Sequence, residues 1–307
     1  MPAQLKKLQL ISMLGIGIVA ISSASIFIKL CEAPSLVIAS YRMLVASVIY
    51  WGVAAIKKQS IWSAFTASQR KVAFISGVFL TIHFMTWITS LSFTSVASSV
   101  VLVQSAPVFV VAGSFLLLGE KPTWQMLMGV LITLTGVIVI SVHDFSLSQQ
   151  SLQGNLLAVG GAIGAAGYIL AGRKLRANIN VLGYVTFVYS VAALLLLIIS
   201  IFLNYSFFKY NLETYLLLLA IGLIPQVIGH TTFNWALKFF SATTISIVIL
   251  GEPIGASLLA WLVLAEPISN TKIAGGLVII LGVVSVIVAE SRMYFKMSAR
   301  HKTTPTN

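Results

Sequence analysis

Ten apolar runs, each of about 17 to 25 residues, follow one another between residues 10 and 290 with short polar connections. A run of that length matches the roughly 30 Å hydrocarbon core of a bilayer at about 1.5 Å per residue. Lipid admits only backbones that satisfy their own N–H and C=O groups, which for runs this long means helices. The chain is therefore expected to be an all-α membrane protein with ten transmembrane helices, at about 10–30, 34–56, 71–93, 96–118, 124–142, 154–174, 180–203, 213–237, 241–264 and 271–290. Composition agrees: 8% of the residues are charged, against about 25% in a soluble domain.

The net charge of +12 would suggest nucleic acid, but the basic residues form short clusters between apolar runs, with no zinc-ligand pattern or recognition helix. No nucleic-acid partner is expected, and the charge serves as a topology signal. With the N-terminus inside, fifteen of the nineteen Lys and Arg fall in inside segments, against Lys29, Lys209 and Lys272 outside, with Arg42 within a helix. Both termini are thus expected to be cytoplasmic, in a multi-pass protein of the cell (inner) membrane. Residues 292–307 form a cytoplasmic tail whose end, HKTTPTN, reads as disordered. Lys6, Lys7 and the apolar run after them could imitate a signal peptide, with Ser22 to Ser25 as its cleavage site. The length of the run and its later counterpart favour a first helix. In the longest connection, KKQSIWSAFTASQRK, Ile61, Trp62 and Phe65 share one side that could lie flat at the interface.

The chain repeats itself. At a shift of 146 positions Pro107 falls on Pro253, Glu120 on Glu266, Gly129 on Gly275, Gly136 on Gly282 and Phe93 on Phe239. One or two positions further, His83 and Trp87 meet His230 and Trp235. Glycine and proline matches carry weight because they fix backbone geometry and packing distance. The expected halves are 1–145 and 146–291. Five helices in each make the second copy inverted relative to the first, as in many secondary transporters.

Two segments, SVASSVVLVQSAPVFVVAGSFLLLGEKPTWQMLMGVLITLTGVIVI (95–140) and SATTISIVILGEPIGASLLAWLVLAEPISNTKIAGGLVIILGVVSVIV (241–288), each carry a mid-helix proline, a terminal acid and a following Gly-rich helix. In this pattern, over nearly its whole length, the chain resembles the ten-helix EamA-type branch of the drug/metabolite transporter superfamily. The resemblance implies transport of small metabolites, often amino acids, nucleobases or their derivatives, commonly outward. It also implies a cavity lined by helices one, three, four, six, eight and nine.

Glu252 is the most unusual residue. It lies about 17 Å from either end of its helix, and an acid at that depth is a functional hypothesis by default. It could bind a substrate amine or a coupling proton; alternatively it is a protonated structural carboxyl bonded to backbone near Pro253. Arg42, about 12 Å into helix two, could present its fork to a substrate carboxylate or snorkel to the outer surface. The two together suit a zwitterion such as an amino acid, or they pair with each other. His83, Trp87 and Ser90 share one face of helix three, and Gln226, His230 and Asn234 one face of helix eight. Both faces should point into the bundle. Trp87 could stack on a planar substrate or simply pack, and Gln104 is a cavity amide or an interhelical contact. Gly160, Gly161, Gly164 and Gly167 permit close helix approach, with Tyr168 beside them. Pro107 and Pro253 are the expected hinges.

No cofactor is expected, since no nucleotide-binding loop is present. The lone Cys31 rules out a cysteine metal site, and two histidines without matched carboxylates are weak evidence for any metal. Histidine chemistry leaves protons open as a partner, beside a small-molecule metabolite and the lipid bilayer. No signal sets an oligomeric state. A membrane-embedded enzyme would need convergent acid, base and nucleophile groups, and no HExxH helix or serine elbow is present. A non-transporting receptor or structural protein is the other alternative.

Overall fold

The computed structural model describes residues 3–94, 99, 102–141, 149–265 and 268–303, and among them every regular element is helical. Seven helices are long and apolar enough to cross a membrane, and three shorter apolar ones accompany them. Each of the ten predicted stretches holds one of these helices. We name them α1 (Ala3–Leu30), α2 (Ser35–Ile56), α3 (Ala67–Ser90), α4 (Ala106–Leu118), α5 (Trp124–Ser141), α6 (Gln149–Arg176), α7 (Val181–Phe202), α8 (Leu212–Ala236), α9a (Ala242–Ile249), α9b (Glu252–Leu264) and α10 (Asn270–Thr303). Leu116, Phe202, Leu262 and Leu281 are among many exposed large apolar residues, as lipid requires and water would not tolerate on this scale.

Three helices are irregular. α9 breaks at Leu250 and Gly251, and α9b restarts with Glu252 in its first turn and Pro253 behind it. α4 is preceded by a turn at Gln104 and Ser105 and starts at Ala106 and Pro107. A proline is tolerated there because the first N–H groups of a helix have no internal partner. α4 ends at Gly119 and α9b at Ala265, both left-handed, with φ of 66° and 53°. Turn, proline and left-handed end all recur 146 positions apart, so the backbone repeats along with the sequence. α8 holds a break that the sequence pattern does not announce. Pro225 lies inside the π-helical stretch Gly222–His230, whose wider turn accommodates the missing N–H and the ring.

Packing follows the glycines. A Cβ on Gly136 would sit 2.7 Å from the Gly275 carbonyl, and one on Gly282 would sit 3.1 Å from that of Gly129. As one index rises the other falls, so α5 and α10 cross antiparallel through two glycine contacts, Gly136–Gly275 and Gly129–Gly282, that the 146-residue shift maps onto each other. On α6, a Cβ at Gly164 would lie 2.6 Å from the His83 backbone nitrogen, and one at Gly161 would lie 3.0 Å from the Trp87 Cβ. This small-residue face brings α3 against α6 and sets where His83 and Trp87 stand.

Two expectations are corrected. α10 continues to Thr303 rather than ending near 290 before a disordered tail: SRMYFKMSARHK has no Gly or Pro and is rich in good helix formers. In the α2–α3 connection Ile61 and Phe65 are buried while Trp62 is 65% exposed, so the three do not share an interfacial side. Phe65 packs on Phe187 at 5.2 Å, and the Arg70 guanidinium lies 4.7 Å above the Trp62 ring. Glu266 lies outside the described residues, as do 304–307.

Candidate functional site

A cavity of about 90 Å³ lies in the middle of the bundle, room for about half a dozen waters at ~10–15 Å³ each. Its walls come from α1, α3, the turn before α4, α6, α8 and both parts of α9. Arg42 adds α2, which the resemblance does not include. Of the candidate side chains, Arg42, His83, Trp87, Gln104, Tyr168, His230, Asn234 and Glu252 line the cavity, with Pro107 and Pro253 beside them. Gln226 does not; it stands behind Arg42.

Two ionisable groups define the cavity chemically. Arg42 does not snorkel: it is 1% exposed, its Nε donates to Gln226 Oε1 at 2.8 Å, and its guanidinium carbon lies 4.2 Å from the Phe84 ring centroid. The Glu252 carboxylate accepts from Gln104 Nε2 at 3.4 Å, a long contact. No ion pair within 4.0 Å joins Arg42 to Glu252 among the described residues. Each meets a glutamine instead. The Glu252 backbone is pinned as well, since the Ser22 hydroxyl lies 3.1 Å from its carbonyl oxygen. α1 comes this close because Gly255 offers no side chain, and a Cβ there would collide with Ser22 Oγ.

The remaining polar groups form two walls. On α3, His83 Nδ1 lies 2.9 Å from the Gly161 carbonyl, and its ring stacks on Trp87 with centroids 5.8 Å apart and planes 7° apart. Ser90 is turned away, bonded to the Trp87 carbonyl at 2.7 Å. On α8, Asn234 Nδ2 lies within hydrogen-bond distance of the His230 carbonyl at 2.8 Å, of the Tyr189 hydroxyl at 3.1 Å and of the Tyr168 hydroxyl, three acceptors for its two hydrogens. His230 meets the Phe84 ring edge-on at 5.5 Å. No group of three His, Cys, Asp or Glu able to hold a metal occurs among the described residues. Cys31 is half-buried in the α1–α2 connection, where burial and the neighbouring Glu32 carboxylate push its pKa up.

One edge of the bundle carries a separate ion pair. Arg173 Nε meets Glu120 Oε1 at 2.7 Å and its Nη1 donates to the Leu237 carbonyl at 2.8 Å, tying the ends of α4, α6 and α8 together. Arg176 is 2% exposed and donates to the Asn234 carbonyl at 2.8 Å.

Sequence reasoning misses Ser25 and Ser246, which line the cavity, and Phe84 and Tyr189, which support it. Ser25 leaves a usable signal, being a small hydroxyl residue one helical turn from Ser22, which bonds the Glu252 carbonyl. Phe84 and Tyr189 leave none, since an aromatic in an apolar helix reads as packing.

Comparison with known proteins places this arrangement. A family model described as the EamA-like transporter family matches residues 7–142 and again 152–288. A protein of Clostridium kluyveri named an uncharacterized transporter is 28% identical over 63% of this chain and 64% of its own length. The pseudopaline exporter CntI of Pseudomonas aeruginosa is 26% identical over 69% of this chain and 72% of its own. One solved crystal structure superposes with a TM-score of 0.75 over 92% of this chain and 98% of that one, at 19% identity, a likeness of fold. With its bundle of apolar helices and two matches that together span most of its length, the chain belongs to the EamA-like transporter family of membrane proteins.

Proposed function

We propose that this protein is a secondary transporter that moves a small zwitterionic or amine metabolite, such as an amino acid, by alternating access through the central cavity. The observation that carries the reading is a pair of ionisable groups of opposite sign, Arg42 and Glu252, that line one mid-bundle cavity, each bonded to a glutamine, Gln226 and Gln104, with no ion pair within 4.0 Å between them. A buried acid and a buried base that do not pair with each other need a counter-charge, and a zwitterion supplies both. The ten apolar helices form two inverted halves, 1–145 and 146–291. The antiparallel α5–α10 contact through Gly129, Gly136, Gly275 and Gly282 supports that symmetry. The halves rock about the breaks at Pro107 and Pro253. Both termini face the cytoplasm from the inner membrane. Transport runs outward, a direction supported by the relative named as an exporter, with Glu252 also able to carry a coupling proton.

Counterflow into sealed proteoliposomes tests this reading, because only a carrier exchanges an unmodified solute across a closed bilayer. A panel of amino acids, nucleosides and organic cations is expected to contain a counterflow substrate that Glu252→Gln no longer exchanges. Absence of counterflow across the panel would sink the amino-acid reading. If the wild type exchanges with the same rate at every pH, proton coupling goes with it.

A further inference from the structure

Two buried N–H donors in the cavity-lining side chains have no acceptor: Arg42 Nη1 and Trp87 Nε1. Neither is loose. The guanidinium is fixed at its Nε by Gln226 and along its face by the Phe84 ring, an arrangement that leaves Nη1 without a partner. The indole is fixed by its parallel stack on His83, and His83 in turn by the Gly161 carbonyl. A buried donor without an acceptor is costly to maintain, and here two are held rigidly in the wall of one cavity.

We infer that Arg42 and Trp87 form an oxyanion subsite that takes the carboxylate of the transported molecule, with Gln226 and Phe84 as positioning residues. This deepens the proposed function and rests on it, because it narrows the substrates of that reading to those that carry a carboxylate. A planar carboxylate can accept from Arg42 Nη1 and from the indole N–H of Trp87 with its two oxygens. The opposite pole, Glu252 with Gln104, accepts the amine. The carboxylate is thus read by two side chains with unmet donors, while the amine is read by one carboxylate that already has a partner. Selectivity is expected to fall on the carboxylate first.

The test uses the full chain in nanodiscs, with the twenty standard amino acids and their C-terminal amides as probes and the ligand-induced shift of the unfolding midpoint as readout. At least one amino acid is expected to stabilise the wild type while its amide, which keeps the amine and loses the anion, does not. Trp87→Phe preserves the stack and deletes only the donor, so it should weaken the acid roughly 10- to 100-fold, the range of one hydrogen bond to a charged group. Arg42→Lys should not restore the fork. Amides that bind as well as acids, a panel without any binder, or Trp87→Phe with unchanged acid affinity would each overturn the subsite. The wild-type comparison of acid with amide needs no variant to fold. Counterflow on the same preparation separates the two readings: acid-selective binding without exchange removes the carrier and keeps the subsite, whereas exchange indifferent to the carboxylate does the reverse.

Discussion

The two broken segments, Gln104 to Gly119 and Leu250 to Ala265, share a backbone and differ in chemistry. Both have a turn, a proline just inside the following helix and a left-handed residue at its end. At the position before the proline one has Ala106 and the other Glu252. In place of a second acid, the first segment contributes Gln104, two residues earlier, whose amide reaches across to Glu252 at 3.4 Å. The break is therefore a property of the scaffold, while the charge was placed in one copy only. A symmetric pair of acids would face each other across the cavity and raise the cost of ionising either. One acid and one amide make a single negative pole opposite Arg42.

The sharpest way to break this comparison is to move the acid. Glu252→Ala is expected to lower counterflow by about 100-fold or more, on the scale of losing a buried charge contact. Adding Ala106→Glu restores a carboxylate at the repeat-related position with the same backbone. It is expected not to restore exchange, because the Gln104 contact and the Ser22 anchor belong to α9b alone. Recovery above about a tenth of the wild-type rate in the double variant, a gap of roughly 1.4 kcal/mol, would show that either copy can host the pole.

A smaller effect is expected at the end of α4, where Glu120 follows the left-handed Gly119 and pairs with Arg173. Both side chains are about a quarter exposed, at 28% and 27%, so solvent screening limits the pair. A double-mutant cycle of Glu120→Gln and Arg173→Gln on thermal unfolding in detergent should give a coupling of about 0.5–1 kcal/mol. A coupling indistinguishable from zero would leave Arg173 only its bond to the Leu237 carbonyl.

How much of this is legible in the sequence depends on what kind of signal each part leaves. The placement of apolar helices is readable because lipid imposes length and apolarity on every span. The repeat is readable because glycine and proline fix geometry, and Gly129, Gly136, Gly275 and Gly282 meet in the helix crossing. Most of the polar cavity residues are readable because a polar group on an apolar helix has to face inward. Partnership is not. Nothing in the sequence says that Arg42 bonds Gln226 rather than Glu252, or that Gln104 leaves the helix for a turn, since both depend on the relative rotation of helices distant in the chain. Pro225 is legible as a residue and silent as a break, because its helix keeps an unbroken apolar run through it. The end of α10 is hidden for the opposite reason: the polarity of 292–303 marks the limit of the membrane, and the helix runs on beyond it.

An effect of similar size is expected at the two left-handed helix ends and bears on the scaffold alone. Gly119 has φ of 66° and Ala265 φ of 53°, so one copy uses the residue suited to that region and the other bears a Cβ–carbonyl contact. Gly119 has open space beside it, with no heavy atom within 4 Å of where a Cβ would sit. Gly119→Ala therefore tests backbone strain without a clash, and should destabilise by about 1 kcal/mol. Ala265→Gly should stabilise by a similar or smaller amount, since it relieves the strain but adds freedom to the unfolded chain. Opposite signs for the two substitutions, read as shifts of the unfolding midpoint in one detergent, are the result the shared backbone demands. Equal signs would mean that the two ends, though alike in φ, carry different loads when the helices beside them unfold.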